Sequence, residues 1–124
     1  MSTCQNMGDY LFFEVSEPYS LKLLIATIHE VADHCQTENL NKVLVDLRSM
    51  EGNPNIFERF QLGLEISKTW GSKLKVAYVA KPGIINRVME NTAVNRGASV
   101  LGTPDMAEAF KWLEVENRND NNGG

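Results

Sequence analysis

The side chains best suited to chemistry are two histidines, two cysteines and one polar loop. His29 and His34 lie five residues apart in a helical pattern. At about 100° per residue they point roughly 140° apart, so one helix cannot aim both at a single metal ion. Cys35 adjoins His34 but falls on the apolar stripe of that helix, and Cys4 lies near the N-terminus. Neither histidine accompanies a serine or cysteine in a recognisable nucleophile motif, so triad chemistry has no support. The phosphate-cradling patterns G-x-x-x-x-G-K-[ST] and G-x-G-x-x-G do not occur. No catalytic residue, metal or cofactor is expected.

The densest polar segment holds Asp46, Arg48, Ser49, Glu51, Asn53 and Asn55. It follows a strand-like run and precedes a helical one, at a place where open α/β sheets bind ligands and partners. Two readings are open. The segment can form a recognition surface around the start of a helix, whose free N–H groups attract an anion. Alternatively, Asp46 anchors the loop by accepting hydrogen bonds from its amides, and the rest is solvated.

The elements around this loop follow from periodicity. Tyr10 to Val15 is aromatic and β-rich and reads as a strand. From Leu21 to Gln36, apolar residues recur every three or four positions, as an amphipathic helix requires. Lys42 to Leu47 and Leu74 to Ala80 are short apolar runs of the kind buried on both faces of a sheet. Between them, Asn55 to Trp70 reads as a helix with Ile56, Phe60, Gly63, Leu64, Ser67 and Trp70 on or near the inward face. Gly63 is costly in mid-helix, which suggests that another backbone packs close to it.

Pro82 suits the first turn of a third helix reaching about Asn95, with Gly97 as a left-handed cap. Ala98 to Leu101 is a short strand. Thr103-Pro104-Asp105 reads as N-cap, first helical residue and first-turn acid of a last helix ending near Val115. Ser2 to Gln5 can add a small antiparallel edge strand before the turn-like residues 6–9. Strict β-α alternation with short links predicts an α/β fold with a mostly parallel sheet and right-handed crossovers.

With these elements in place, the chain resembles the STAS-like domains related to the anti-sigma factor antagonists of bacteria. The resemblance is carried by Val43 to Arg48 (VLVDLR), Leu74 to Ala80 (LKVAYVA), Ala93 to Val100 (AVNRGASV) and Asp105 to Leu113 (DMAEAFKWL). Their order and spacing span residues 10 to about 115. The resemblance implies a four- or five-stranded sheet flanked by four helices, and protein–protein regulation rather than catalysis. In partner-switching members a serine at the start of the second helix is phosphorylated. Here that stretch is Asn53-Pro54-Asn55-Ile56, with no hydroxyl, and Ser49 lies closer to the strand end. The expected module therefore lacks the phospho-serine switch. It meets a protein partner through Arg48, Ser49, Asn53, Asn55 and Glu58, with Asp46 as structural anchor. The alternative is a small domain that binds an apolar or lipid-like ligand.

The chain has 124 residues, 43% of them hydrophobic, and a formal net charge of -4. Its size suits one domain, read as residues 10–116 with residues 1–9 as an N-terminal tail and 117–124 as a disordered C-terminal tail. The acidic balance lacks the electrostatic footprint of a nucleic-acid binder. No apolar run approaches the ~20 residues of a membrane span. No signal-peptide pattern opens the sequence, so a cytoplasmic protein with two reduced thiols is expected. An exposed sheet edge makes a homodimer an open possibility.

Overall fold

The computed structural model describes residues 2–85 and 87–116. Five strands and four helices alternate as β1 (Ser2–Asn6), β2 (Leu11–Val15), α1 (Leu21–Glu38), β3 (Lys42–Asp46), α2 (Ile56–Thr69), β4 (Lys75–Val79), α3 (Val88–Asn95), β5 (Ser99–Thr103) and α4 (Met106–Leu113). The strands form one sheet in the order β1-β2-β3-β4-β5. The short β1 is antiparallel to β2. The other neighbours are parallel, with Leu11, Val43, Val76 and Val100 in register across the sheet. The expected tail residues 117–124 lie outside the described residues.

Each parallel strand lies beside the one before it, so right-handed crossovers place every connecting helix on the same face. Helices α1, α2 and α3 share that face, and α4 covers the other. The strand residues divide by the two-residue pleat. Phe13, Val43, Val45, Val76, Tyr78 and Val100 enter the three-helix core. Phe12, Leu44, Ala77 and Val79 meet Ala109, Phe110 and Leu113 of α4. A run such as KVLVDL is buried on both sides for this reason, and it could not survive in a sheet with one wet face.

Three sequence expectations shift. The third helix starts at Val88 rather than Pro82. Pro82 and Gly83 instead form a turn closed by Ile84 N–H to the Lys81 carbonyl, and Arg87 enters α3 with a left-handed φ of 70°. Strand β5 runs on to Thr103, which pairs with Val79. Asp105 is therefore the N-cap of α4 and accepts from Ala107 N–H, while the Thr103 hydroxyl accepts from Asp105 N–H. The third shift is the rotation of α2. Its buried residues are Arg59, Leu62, Gly63 and Ile66, while Ile56 and Phe60 face outward.

Gly63 explains that rotation. A Cβ there would stand 2.7 Å from the Met89 carbonyl oxygen and 2.7 Å from Thr92 Cβ. The α2 backbone thus presses directly on α3, and only a glycine fits the crossing. On the other flank, Trp70 donates its indole N–H to the Ile28 carbonyl of α1 at 2.9 Å.

His29 of α1 meets Glu65 of α2 at 2.6 Å, whereas His34 packs edge-on against Phe13. Burial pushes the Glu65 carboxyl up, but the hydrogen bond from His29 and the charge of Lys68 outweigh it and hold it below its ordinary 4.5. A carboxylate held low stabilises the fold above its unfolded pKa, and that stabilisation is lost as pH falls through the folded value. His29→Ala removes the principal partner. Acid unfolding followed by circular dichroism should then begin at a higher pH than in the unsubstituted chain. An unchanged acid midpoint would show that the pair contributes nothing to acid stability.

Candidate functional site

The carboxyl ends of β3, β4 and β5 lie side by side, and the loops after β3 and β4 meet at the start of α2. Leu47 N–H continues the ladder to the Val79 carbonyl, and Ala80 N–H reaches the Thr103 carbonyl. The loops that follow are therefore laid side by side at one end of the sheet.

Asp46 ends β3 with its carboxylate almost fully buried. It accepts from Arg48 N–H at 3.0 Å, from Arg48 Nε at 3.0 Å and from Arg48 Nη2 at 2.9 Å. The fork fixes the chain direction as it leaves the sheet. The hydrogen bond to Asp46 also raises the Arg48 pKa above its ordinary value. Met50 tucks beneath the loop with its N–H on the Leu47 carbonyl. At the turn, Gly52 adopts a φ of 85° and lies against Tyr19 Cβ. Glu51 pairs with Lys81 at 3.0 Å and joins this loop to the one after β4.

Arg59 makes a deeper link between the same two loops. It lies on the buried face of α2, donating Nε to the Pro54 carbonyl at 3.1 Å and Nη1 to the Ile84 carbonyl. Sequence reasoning passed over it, because an arginine within a helix reads as solvated. The available signal was its spacing of three, four and seven residues from Leu62, Gly63 and Ile66, of which Gly63 already lay on the expected inward face.

Asn55 caps α2 by accepting from Glu58 N–H at 2.9 Å, and the Glu58 carboxylate returns to accept from Asn55 N–H at 3.0 Å. This capping box satisfies both amides and places a negative charge at the helix start. The expected pull on an external anion is correspondingly offset. Beside the box, the Tyr19 hydroxyl is buried next to the Glu58 carboxylate. Burial first, and then the nearby Glu58 carboxylate, push its pKa up to about 12.

Of the residues singled out from the sequence, Arg48, Ser49, Asn53 and Asn55 are exposed, and Glu58 is half-buried. All belong to the 46–58 segment. What the sequence did not reveal is the apolar part of this surface. Ile56, Phe57 and Phe60 are 60%, 77% and 45% exposed. Three large apolar side chains within five residues exceed what one packed stripe can bury, and that excess was the visible signal. Residues three or four apart on a helix are neighbours, so Ile56, Phe57 and Phe60 form one patch.

Among the described residues, no three ligating side chains gather to hold a metal ion. Between α1 and α2, Leu24, Ile28, Leu62, Ile66, Trp70 and Tyr78 line a partly open apolar pocket of about 40 Å³. That volume is far below the ~300 Å³ of small-molecule sites. An open cleft of about 420 Å³ lies at the other end of α1 and α2, with Gln36, Thr69 and Lys73 among its walls. Ala32, Leu40, Trp70 and Leu74 also line it, so its lining is mixed. No helix among the described residues is long and apolar enough to cross a membrane.

No family model and no curated protein sequence matches the chain. Its fold is nevertheless that of a solved structure, an anti-sigma factor antagonist from Mycobacterium paratuberculosis. The two align with a TM-score of 0.61 over 92% of this chain and 93% of that one, at 10% identity. The STAS-like α/β architecture expected from the sequence is therefore the architecture observed.

Proposed function

We propose that this chain is a non-catalytic regulatory module, cytoplasmic in setting, that docks a protein partner on the start of α2. The exposed trio Ile56, Phe57 and Phe60 beside a rigid polar loop carries this reading. Hydrophobic contact at the centre with a polar rim of Arg48, Ser49, Asn53, Asn55 and Glu58 is the usual anatomy of a protein interface. Asp46 and Arg59 hold the loop from below, so the surface is pre-organised and loses little entropy on binding. The likeness in fold to an anti-sigma factor antagonist supports a regulatory role.

In this reading no phosphorylation switch operates at the helix start. Asn55 occupies the cap and has no hydroxyl to modify, while Glu58 already supplies a fixed negative charge. Control then comes from the partner's abundance or from another site. Self-association through a sheet edge is compatible with this role, and light scattering at two concentrations would detect it.

The test is affinity capture from native cell extract. The unsubstituted chain should retain a specific partner that Arg48→Glu and Asn55→Asp both weaken. A partner indifferent to both substitutions, or no specific partner at all, would overturn the reading.

A further inference from the structure

Helices α1 and α2 both run back along parallel strands, so their carboxyl ends lie at the amino end of the sheet. Two ties hold the pair together: His29 to Glu65, and the Trp70 indole N–H to the Ile28 carbonyl. Beyond Ile28 and His29, the last turns of α1 flank the open cleft of about 420 Å³. That volume lies within the ~300–1,000 Å³ of small-molecule sites. Ala32, Leu40, Trp70 and Leu74 give the cleft its apolar walls. Ala32, Leu40 and Leu74 pack against the core cluster on one side and stay half-buried, so apolar surface remains uncovered on the cleft side.

The polar part of the lining is Gln36, Thr69 and Lys73. Lys73 is its one charged residue, and no carboxylate lines the cleft. The Lys73 N–H is fixed on the Trp70 carbonyl at 3.2 Å, while its ammonium is exposed and makes no ion pair among the described residues. Lys68 already answers the negative end of the α2 dipole from the last turn of that helix. The Thr69 hydroxyl is turned to Glu65 at 3.3 Å. The rim therefore offers one cation and the Gln36 amide as donors above an apolar floor.

We propose that this cleft binds a small aliphatic monocarboxylate, with its chain against Ala32, Leu40, Trp70 and Leu74 and its carboxylate on Lys73 and Gln36. A dicarboxylate would find no second cation in the lining, and a bare hydrocarbon would draw nothing from Lys73. Each methylene covered by the walls strengthens binding by up to about fourfold. The cleft includes no residue of the surface at the start of α2, so it stands independently of the docking reading.

Amide NMR of the isotope-labelled full chain, titrated with decanoate, hexanoate and decan-1-ol, tests the proposal. Decanoate should shift the Trp70 indole resonance and the amides of residues 32–40 and 69–74, saturating at one molecule per chain. Hexanoate should bind at least about tenfold more weakly. Lys73→Glu replaces attraction by repulsion and should weaken decanoate about five- to tenfold, with decan-1-ol unaffected. Ala32→Phe fills the floor and should weaken both. Lys73 is exposed, so its variant keeps the fold and carries the test by itself should Ala32→Phe not fold. Three results would each overturn the proposal: shifts that never saturate, saturable shifts centred on Phe57 and Phe60, or a decanoate affinity unchanged by Lys73→Glu.

Discussion

Gly63→Ala is expected to destabilise the protein by about 2 kcal/mol, against the sign that helix propensity alone would give. In an exposed helix interior the same change gains about 1 kcal/mol. Here the new methyl would meet the Met89 carbonyl oxygen and Thr92 Cβ at 2.7 Å. The carbonyl belongs to backbone and cannot rotate away, so α3 has to move as a unit. Overpacking of this kind costs about 1–3 kcal/mol, and occasionally more. The thermal midpoint should fall by roughly 6–10 °C, and Gly63→Val should lower it further. Urea denaturation measures the change directly. An unchanged or increased stability would mean that α2 and α3 do not cross as tightly as described.

Arg59→Met should cost about 2–4 kcal/mol while keeping the length of the side chain. Arg59 is 7% exposed, and its guanidinium binds the carbonyls of Pro54 and Ile84. Removing it leaves both carbonyls short of a donor, and hydrogen bonds from charged groups are worth about 1.5–3 kcal/mol each. Lysine offers no planar fork that could span two acceptors, so Arg59→Lys should recover less than half of the loss. Hydrogen exchange should show the loss most strongly in the loops before α2 and after β4. Two-state unfolding with the original midpoint would contradict the role given to Arg59.

These two residues also show where the sequence was legible. The buried strands could be read because parallel sheets with both faces covered demand continuous apolar runs, and residues 43–47 and 76–80 supply them. The stripe on α1 could be read because Leu24, Ile28, Val31 and Cys35 recur every three or four positions, and Thr27, buried among them, donates its hydroxyl to the Leu23 carbonyl. On α2 two stripes compete. Ile56, Phe60 and Leu64 make one, and Arg59, Leu62 and Ile66 make the other, while Gly63 and Trp70, expected inward, are buried in the structure as well. Hydropathy favours the first, since arginine scores as solvated. The fold takes the second because α3 presses on Gly63 and because two loop carbonyls need a donor in the interior. Both causes are tertiary and have no local signature.

The same competition hid the apolar half of the candidate surface. The polar residues from Arg48 to Glu58 were legible as a loop at the carboxyl end of a parallel strand. Ile56 and Phe60 were assigned to the core, so the patch they form with Phe57 emerged only when the rotation of α2 was known. Capping was only partly legible: Thr103-Pro104-Asp105 marks the start of α4, although Asp105 proves to be the cap, and the Asn55–Glu58 capping box of α2 emerged only from the structure. The start of α3 was not. Pro82 suits a helix start, but the neighbouring Gly83 and the left-handed Arg87 place a turn there instead.

The central claim is that Ile56, Phe57 and Phe60 are exposed in order to be covered by a partner. The most direct measurement is the affinity of the captured partner for three chains: unsubstituted, Phe57→Asp, and Lys111→Glu on α4 at the opposite face of the sheet. Phe57 is 77% exposed, so aspartate there should leave the thermal midpoint within a few degrees of its original value. A buried interface aromatic is worth about 2 kcal/mol or more, and affinity should fall at least about 30-fold. Lys111→Glu should bind as the unsubstituted chain does. Undiminished binding by Phe57→Asp, with binding lost in Lys111→Glu, would place the partner on the other face and contradict the account.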